Sequence, residues 1–186
     1  MFSAQYEAIE VVRETLGKPV AVITNGTLLM DENVRKELAL ADMVIVKLNA
    51  SQDKIFQEIN RPAPGISVDQ VIKGMQFFRL EYKGKLAIEA MMMEANKNEA
   101  YDISYIAKVL MVDQVQLNTP LRANACIPLT KAELSDLRTS KFWSANNLIM
   151  VHDAILPQVT PIDEADAELR HPTKPKSLPK DAAPPA

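Results

Sequence analysis

Residues 19–30 read PVAVITNGTLLM, and this stretch decides the fold. Residues 20–23 are apolar and mostly β-branched or small, and Thr24, Asn25 and Gly26 follow them directly. Such a run predicts a strand that is buried on both faces and ends in a tight turn. Because ligands of parallel α/β sheets bind at the carboxyl ends of the strands, the polar tripeptide is a candidate ligand contact.

The chain repeats this arrangement as far as residue 118. Periodicity predicts helices over residues 3–16, 32–40, 52–59, 68–82 and 101–111, and strands over residues 20–24, 43–48, 85–93 and 113–118. Residues 85–93 (KLAIEAMMM) also suit a helix, since Ala, Glu and Met favour helices, but their position between two long helical patterns favours a strand. Regular alternation of helices and strands predicts right-handed crossovers and a parallel sheet.

Helix starts are marked by short polar side chains. Asp31 and Ser51 are predicted N-caps, and Ser67 with Gln70 three residues later forms a capping-box pattern. The polar segment 94–99 is predicted to be a solvated loop.

The character of the sequence changes after Pro120. A short helix is predicted over residues 130–137, with Thr130 and Glu133 as its capping box, followed by a strand over 147–152 and a short helix over 163–170. Residues 171–186 are proline-rich and nearly free of large apolar side chains, so we predict a disordered tail.

Composition and charge exclude several classes of protein. The 186 residues carry a net charge of -3, which gives no electrostatic support for nucleic acid or an anionic membrane as the main partner. No apolar run approaches the ~20 residues that cross a bilayer, and the first residues lack a basic-then-apolar leader, so a cytoplasmic location is predicted. The single cysteine, Cys126, rules out an internal disulfide framework.

Polar side chains recur at the predicted strand ends, beside the turn residue Gly26: Thr24, Asn25, Lys47, Asn49, Gln116, Asn118 and Thr119. Carboxyl ends of parallel strands meet at one edge, so this set predicts a rim that faces a ligand. The alternative is that Asn and Thr simply form the turns that end strands. Glu89 is different, because a carboxylate inside an apolar strand must be paired, hydrogen-bonded or functional.

These same segments carry a resemblance to a known family. Four segments resemble the later two-thirds of a radical S-adenosylmethionine domain: PVAVITNGTLL, ADMVIVKLNAS, FQEINRPAPGISVDQVIKGMQFFRLEYKGKLAIEAMM (residues 56–92) and VDQVQLNTPLR. The INRPAPG loop with its following helix and the QLNTP strand are the specific combination. The similarity is to the iron-sulfur oxidoreductases grouped with the wyosine-synthesis enzymes, and it continues through residues 147–172.

The resemblance implies an incomplete (β/α)6 TIM-like barrel of parallel strands over residues 1–122, a carboxyl-terminal extension over 123–170 and the tail over 171–186. It also implies S-adenosylmethionine and a [4Fe-4S] cluster as cofactors, with reductive cleavage to a 5′-deoxyadenosyl radical. By position, the resemblance places four residues at the cofactor end of the barrel: Asn25, Asn49, Glu89 and Asn118. Lys47 would reach a carboxylate or a ribose hydroxyl of the cofactor, or would pair with an acid.

The sequence departs from the family at the cluster. Three cysteines spaced Cys-x3-Cys-x2-Cys hold the cluster in the family, and this sequence has no such motif. Cys126 cannot replace three thiolates. It lies in the loop RANACIPL, where relatives of the family sometimes carry a cysteine near a proline, so the resemblance leaves a role open. Our prediction is the alternative, a small buried hydrophobe, since that is what an unpaired cysteine most often is. His152 and His171 have no neighbours at ligand spacing, so no metal ligands are assigned and the catalytic residues stay unknown. We therefore predict a catalytically incomplete chain that is inactive alone.

Strand 20–24 would be an edge strand of this incomplete barrel, with one row of backbone groups unpaired. It predicts self-association or docking onto a separately encoded amino-terminal half. A second hypothesis is a non-enzymatic half-barrel that binds S-adenosylmethionine or a partner protein. A nucleic-acid-modifying module is a third, which the negative net charge disfavours.

Overall fold

The computed structural model describes residues 4–121, 126–139, 143 and 148–153. Its helices are α1 (Ala4–Leu16), α2 (Glu32–Leu38), α3 (Asp53–Asn60), α4 (Val68–Glu81), α5 (Ala100–Val109) and α6 (Lys131–Thr139). Its strands are β1 (Ala21–Thr24), β2 (Met43–Lys47), β3 (Lys85–Met91), β4 (Gln114–Asn118) and β5 (Leu148–Met150). The predicted elements up to residue 153 are confirmed, and their ends differ from the prediction by at most two residues. The predicted helix 163–170 and the predicted tail lie outside the described residues.

The five strands form one parallel sheet in the order β1-β2-β3-β4-β5. Each strand therefore pairs with the next along the chain, and each connection between them contains a helix. This arrangement confirms the predicted α/β class and the incomplete parallel barrel.

Alternation along each strand divides the sheet into two faces. On one face, strand side chains such as Val44, Ile88 and Leu117 share a core with helix side chains such as Met75 of α4 and Ile103 of α5, all almost completely buried. Burial of side chains of this size stabilises the fold by about 1.5–3 kcal/mol each. The helices are therefore held against this face.

The second face, which we call the open face, carries the alternate residues of the same strands. Taken strand by strand from β1 to β5, these are Ala21, Ile23, Met43, Ile45, Lys47, Lys85, Ala87, Glu89, Met91, Gln114, Gln116, Asn118 and Ile149. None of them belongs to the helix-packed core of the described residues. Ile23 of the edge strand β1 is 61% exposed.

Local hydrogen bonds fix most helix starts as predicted. The Asp31 carboxylate accepts a hydrogen bond from the Asn33 N–H at 2.8 Å, and both capping boxes, at Ser67 and at Thr130, are present. The prediction for Ser51 is wrong. Helix α3 has Gln52 as its N-cap without a side-chain cap, and the Ser51 hydroxyl instead donates to the distant Glu99.

The turn after β1 is tightly packed. Gly26 has a φ of 75°, and a Cβ atom there would lie 2.8 Å from Cγ1 of Val46. Further along, the buried Arg35 donates to the carbonyl oxygens of Leu29 and Met30 at 2.9 and 3.0 Å. These contacts hold the segment that carries Asn25 against the body of the sheet.

Candidate functional site

The four residues assigned to the cofactor end lie at the carboxyl edge of the sheet. Asn25 follows β1, Asn49 follows β2, Glu89 lies in β3 and Asn118 ends β4. Glu89 and Asn118 belong to the open face, and Asn25 and Asn49 continue the same alternation beyond the ends of their strands. Their positions agree with the assignment, and their role in cofactor binding stays a prediction.

The structure brings Glu89 and Asn118 into direct contact. The Asn118 side-chain amide donates to Oε1 of Glu89 at 2.8 Å, and Nζ of Lys47 lies 3.8 Å from Oε2. The Glu89 side chain is only 12% exposed, whereas that of Lys47 is 44% exposed. Glu89 was expected to be paired, hydrogen-bonded or functional, and the structure shows both a hydrogen bond and an ion pair. A distance of 3.8 Å is too long for a hydrogen bond, so the described residues leave acceptor capacity on this carboxylate unused.

Asn49 is tied to the end of β3 through Asn96, a residue that sequence reasoning missed. The Asn96 amide donates to the carbonyl oxygens of Asn49 and Met91 at 2.7 and 2.9 Å and accepts from the Met93 N–H at 2.7 Å. Asn49 Oδ1 accepts from the Met91 N–H at 3.0 Å. We call these contacts of Asn49, Met91, Met93 and Asn96 the strand-end network.

The prediction that residues 94–99 form a solvated loop is therefore wrong in part. Asn96 is fully buried and Glu99 is 6% exposed. The Glu99 carboxylate accepts hydrogen bonds from the Ser51 N–H at 2.5 Å, the Ser51 hydroxyl at 3.0 Å and the Gln52 N–H at 3.3 Å. Glu99 thus fixes the loop between β2 and α3. No signal in the sequence separates Asn96 from its exposed neighbour Asn98.

Asn25 does not contact the other three in the described residues. Its Oδ1 accepts from the N–H and the hydroxyl of Thr27 at 3.1 and 2.9 Å, which is an Asx turn. Asn25 therefore performs the turn-forming role that the sequence left open as an alternative, and its amide nitrogen makes no hydrogen bond with a described residue.

Cys126 is exposed, so the prediction of a buried hydrophobe is wrong. Within the described residues, no group of three or more His, Cys, Asp and Glu side chains is placed to hold a metal ion. The described helices also include none long and apolar enough to cross a membrane.

Comparison with known proteins finds relatives that match somewhat more than half of the chain. No family model matches the sequence. A UPF0026 protein of Synechocystis sp. is 36% identical over 118 residues, which are 62% of this chain and 44% of that protein. A UPF0026 protein of Methanocaldococcus jannaschii is also 36% identical, over 61% of this chain and 36% of its own length. The match thus spans less than half the length of these relatives.

Solved structures share the fold at low sequence identity. Streptococcus suis SuiB bound to S-adenosylmethionine superposes with a TM-score of 0.59 at 16% identity, over 78% of this chain and 35% of SuiB. A radical SAM methyltransferase from Sphaerobacter thermophilus also gives 0.59 at 16% identity, over 79% of this chain and 45% of its own.

A domain of a pyruvate-formate lyase-activating enzyme from Bacteroides vulgatus gives a TM-score of 0.61 at 9% identity. That superposition covers 80% of this chain and 94% of the domain. Identities this low compare folds alone, and the fold agrees with the resemblance seen in the sequence. The chain has the fold of the radical S-adenosylmethionine enzymes, over part of their barrel.

Proposed function

We propose that this chain is the carboxyl-terminal portion of a radical S-adenosylmethionine iron-sulfur protein, and that S-adenosylmethionine binds at the carboxyl edge of its sheet. The observation that carries the proposal is the convergence of Asn49, Glu89 and Asn118 at that edge of a radical S-adenosylmethionine fold. Parallel α/β sheets bind their ligands at this edge. The S-adenosylmethionine bound to SuiB supports the same ligand here.

The side chains at the edge suit this cofactor chemically. S-adenosylmethionine offers an ammonium group and ribose hydroxyls as donors. Among the described residues, Oε2 of Glu89 is approached only by the long ion pair with Lys47. The half-exposed Lys47 is placed to meet a carboxylate. Asn118 orients the Glu89 carboxylate through its 2.8 Å hydrogen bond.

The cluster of the family does not fit the residues of this chain. Three thiolates hold it in the family, and this sequence contains only Cys126. We therefore derive no redox step from these residues and expect no cluster on this chain alone. Anaerobic reconstitution with iron and sulfide is the test, and visible absorption of a [4Fe-4S] cluster on the isolated chain would refute the expectation.

Calorimetric titration with S-adenosylmethionine tests the binding site. Asn118→Ala removes the donor to Glu89, and Glu89→Gln removes the charge; we expect each to weaken binding roughly tenfold or more. Gln114→Ala is the matched control, because Gln114 lies on the same face of the same strand at the opposite edge. Equal affinities for all three variants, or no binding by the unmodified chain, would contradict the proposal.

The second candidate is a non-enzymatic half-barrel that binds S-adenosylmethionine or a partner protein. The sequence contains one cysteine, whereas three are needed to hold the cluster of the family, and this favours a half-barrel without redox activity. The titration and the reconstitution together separate the two candidates. Binding of the cofactor by a chain that never takes up a cluster, even together with a protein carrying the cysteine motif, favours the half-barrel.

The free edge of β1 supports a proposal about partners. In the described residues β1 pairs only with β2, and Ile23 is largely exposed. Such an edge takes a further strand, from an amino-terminal half of the barrel or from a second copy. Ile23→Lys places a charge on this edge and should lower association in sedimentation velocity. The proposal would be contradicted if the chain stays monomeric at every concentration and does not bind an amino-terminal half of the barrel that carries the cysteine motif.

We also propose that the protein lies in the cytoplasm. Its single cysteine cannot form an internal disulfide, and proteins of oxidising compartments often carry such bonds. A reducing compartment also suits the chemistry of the family. Cell fractionation followed by immunoblotting tests it, and recovery of the protein in an extracytoplasmic fraction would refute it.

A further inference from the structure

A cavity of about 550 Å³ lies beyond the carboxyl edge of the sheet, in the size range of small-molecule sites. Its walls come from the end of α3, the loop after β3 and the segment after β4. Neither Glu89 nor Asn118 lines it, and neither do Asn25 and Asn49. The cavity is therefore separate from the proposed cofactor residues, although it opens at the same edge.

Arg61 supplies a cationic group in this cavity. It is the C-cap of α3 with a φ of 46°, a left-handed conformation that a long side chain seldom adopts. The side chain is exposed, and it has no hydrogen bond or ion pair with any residue the structure describes. A free guanidinium presents paired N–H donors that match a carboxylate.

The acids around the cavity limit what can bind beside Arg61. Glu94 already pairs with Lys97 at 2.6 Å. Glu58 lies three residues before Arg61 and, among the described residues, has no partner. One free cation and one free anion suit a zwitterion and disfavour a dianion such as a phosphate ester. The remaining wall is apolar and includes Ile59, Met93 and Ile127.

We propose that this cavity binds an aliphatic α-amino acid. Its carboxylate meets Arg61, its ammonium group meets Glu58, and its side chain lies against Ile59, Met93 and Ile127. A role of this amino acid as the substrate rests on the proposed function, whereas its binding does not.

Cys126 reports on the cavity without being required for binding. It lines the cavity, it is exposed, and it is the only cysteine in the sequence. Its alkylation by iodoacetamide, which is uncharged, can be followed by mass spectrometry. L-leucine at about ten times its Kd should slow alkylation roughly tenfold, because free sites fall by that factor. Isocaproate and isoamylamine each lack one charged group and should bind about tenfold more weakly.

Substitutions at one position identify the contact. Arg61→Asn removes the guanidinium but keeps a residue that tolerates the left-handed backbone, and it should weaken leucine protection about tenfold. Arg61→Lys should restore part of the protection. Lys54→Gln is the control, because it removes one exposed positive charge from the same helix outside the cavity. Matched melting curves establish that all variants are folded.

Three results would overturn the inference: no protection by L-leucine, equal protection of the Arg61→Asn variant, or equal protection by isoamylamine. The outcome is independent of the proposed function. Asn118→Ala should lose affinity for S-adenosylmethionine and keep full leucine protection, so failure of one site is distinguished from failure of the other.

Discussion

Replacing Asn96 by alanine tests the strand-end network. The substitution removes two donors, to the carbonyl oxygens of Asn49 and Met91, and the acceptor of the Met93 N–H. A buried group left without a partner costs about 1–3 kcal/mol. Water entering the vacated space offsets part of this, so we expect the free energy of unfolding to fall by about 3–5 kcal/mol.

Asn96→Asp separates hydrogen bonding from packing because it keeps the shape of the side chain. It preserves the acceptor for Met93 but directs a carboxylate at two carbonyl oxygens, which raises the pKa of the new carboxyl above its unfolded value of about 3.9. The protonated form, which regains one donor, is favoured in the folded state. The loss in the free energy of unfolding caused by Asn96→Asp should therefore be largest near neutral pH. It should become smaller as the pH falls through the pKa of the carboxyl in the folded state.

Urea denaturation at several pH values, followed by far-UV circular dichroism and by the fluorescence of the single, buried Trp143, measures both variants. Asn98→Ala and Asn98→Asp are the controls, since the exposed Asn98 belongs to the same loop and should change stability by no more than about 0.5 kcal/mol. If Asn96→Asp and Asn98→Asp unfold alike at every pH, the network does not hold the strand ends.

Three further predictions concern the scaffold. Gly26→Ala should cost about 2–4 kcal/mol in urea denaturation, since φ is positive and the new Cβ meets Val46 at 2.8 Å. Tyr82→Phe should cost about 1 kcal/mol, because the buried hydroxyl donates to Ala41 at 2.8 Å; burial raises the pKa of Tyr82 to about 12, so the variant also loses a tyrosinate transition near that pH. The Val20 N–H, then the Arg13 guanidinium, lowers the pKa of Asp42, so its stabilisation is lost as the pH falls through the folded pKa, and Asp42→Asn should flatten that acid-side loss.

Gly26→Ala has a matched control, and each of the other two predictions has a result that would contradict it. Gly17→Ala also places alanine at a positive φ, of 57°, but its Cβ meets no atom within 4 Å, so it should cost less than Gly26→Ala. Equal losses would mean that contact with Val46 is unimportant. A tyrosinate titration unchanged by Tyr82→Phe, or an acid-side stability profile unchanged by Asp42→Asn, would contradict the other two.

Local patterns explain why the sequence predicted the elements. A capping box joins residues three apart, as at Ser67 with Gln70 and Thr130 with Glu133, so both partners stand in one short stretch. A buried strand is likewise a short run of apolar residues, as in β2. The positions of the helices and strands, and the parallel order of the sheet, could therefore be predicted from patterns of residues that lie close together in the chain.

Contacts between distant residues explain the errors. Serine is a common N-cap residue, but the Ser51 hydroxyl and N–H both donate hydrogen bonds to Glu99, which lies 48 residues later in the chain. Asn96 and Asn98 belong to the same polar loop and cannot be told apart from the sequence. Asn96 is nevertheless buried at the ends of β2 and β3, whereas Asn98 is exposed. Burial of a polar side chain depends on which segments cover it, and local polarity does not specify that.

The sequence by itself determined the alternation of strands and helices, the polar strand ends around Asn25, and the need of Glu89 for a partner. Only the tertiary structure decided that the partners are Asn118 and Lys47, that Asn25 closes its own turn, and that Cys126 is exposed. The physical reason is that periodicity and turn chemistry act over a few residues, whereas a site forms from the register of strands that lie far apart in the chain.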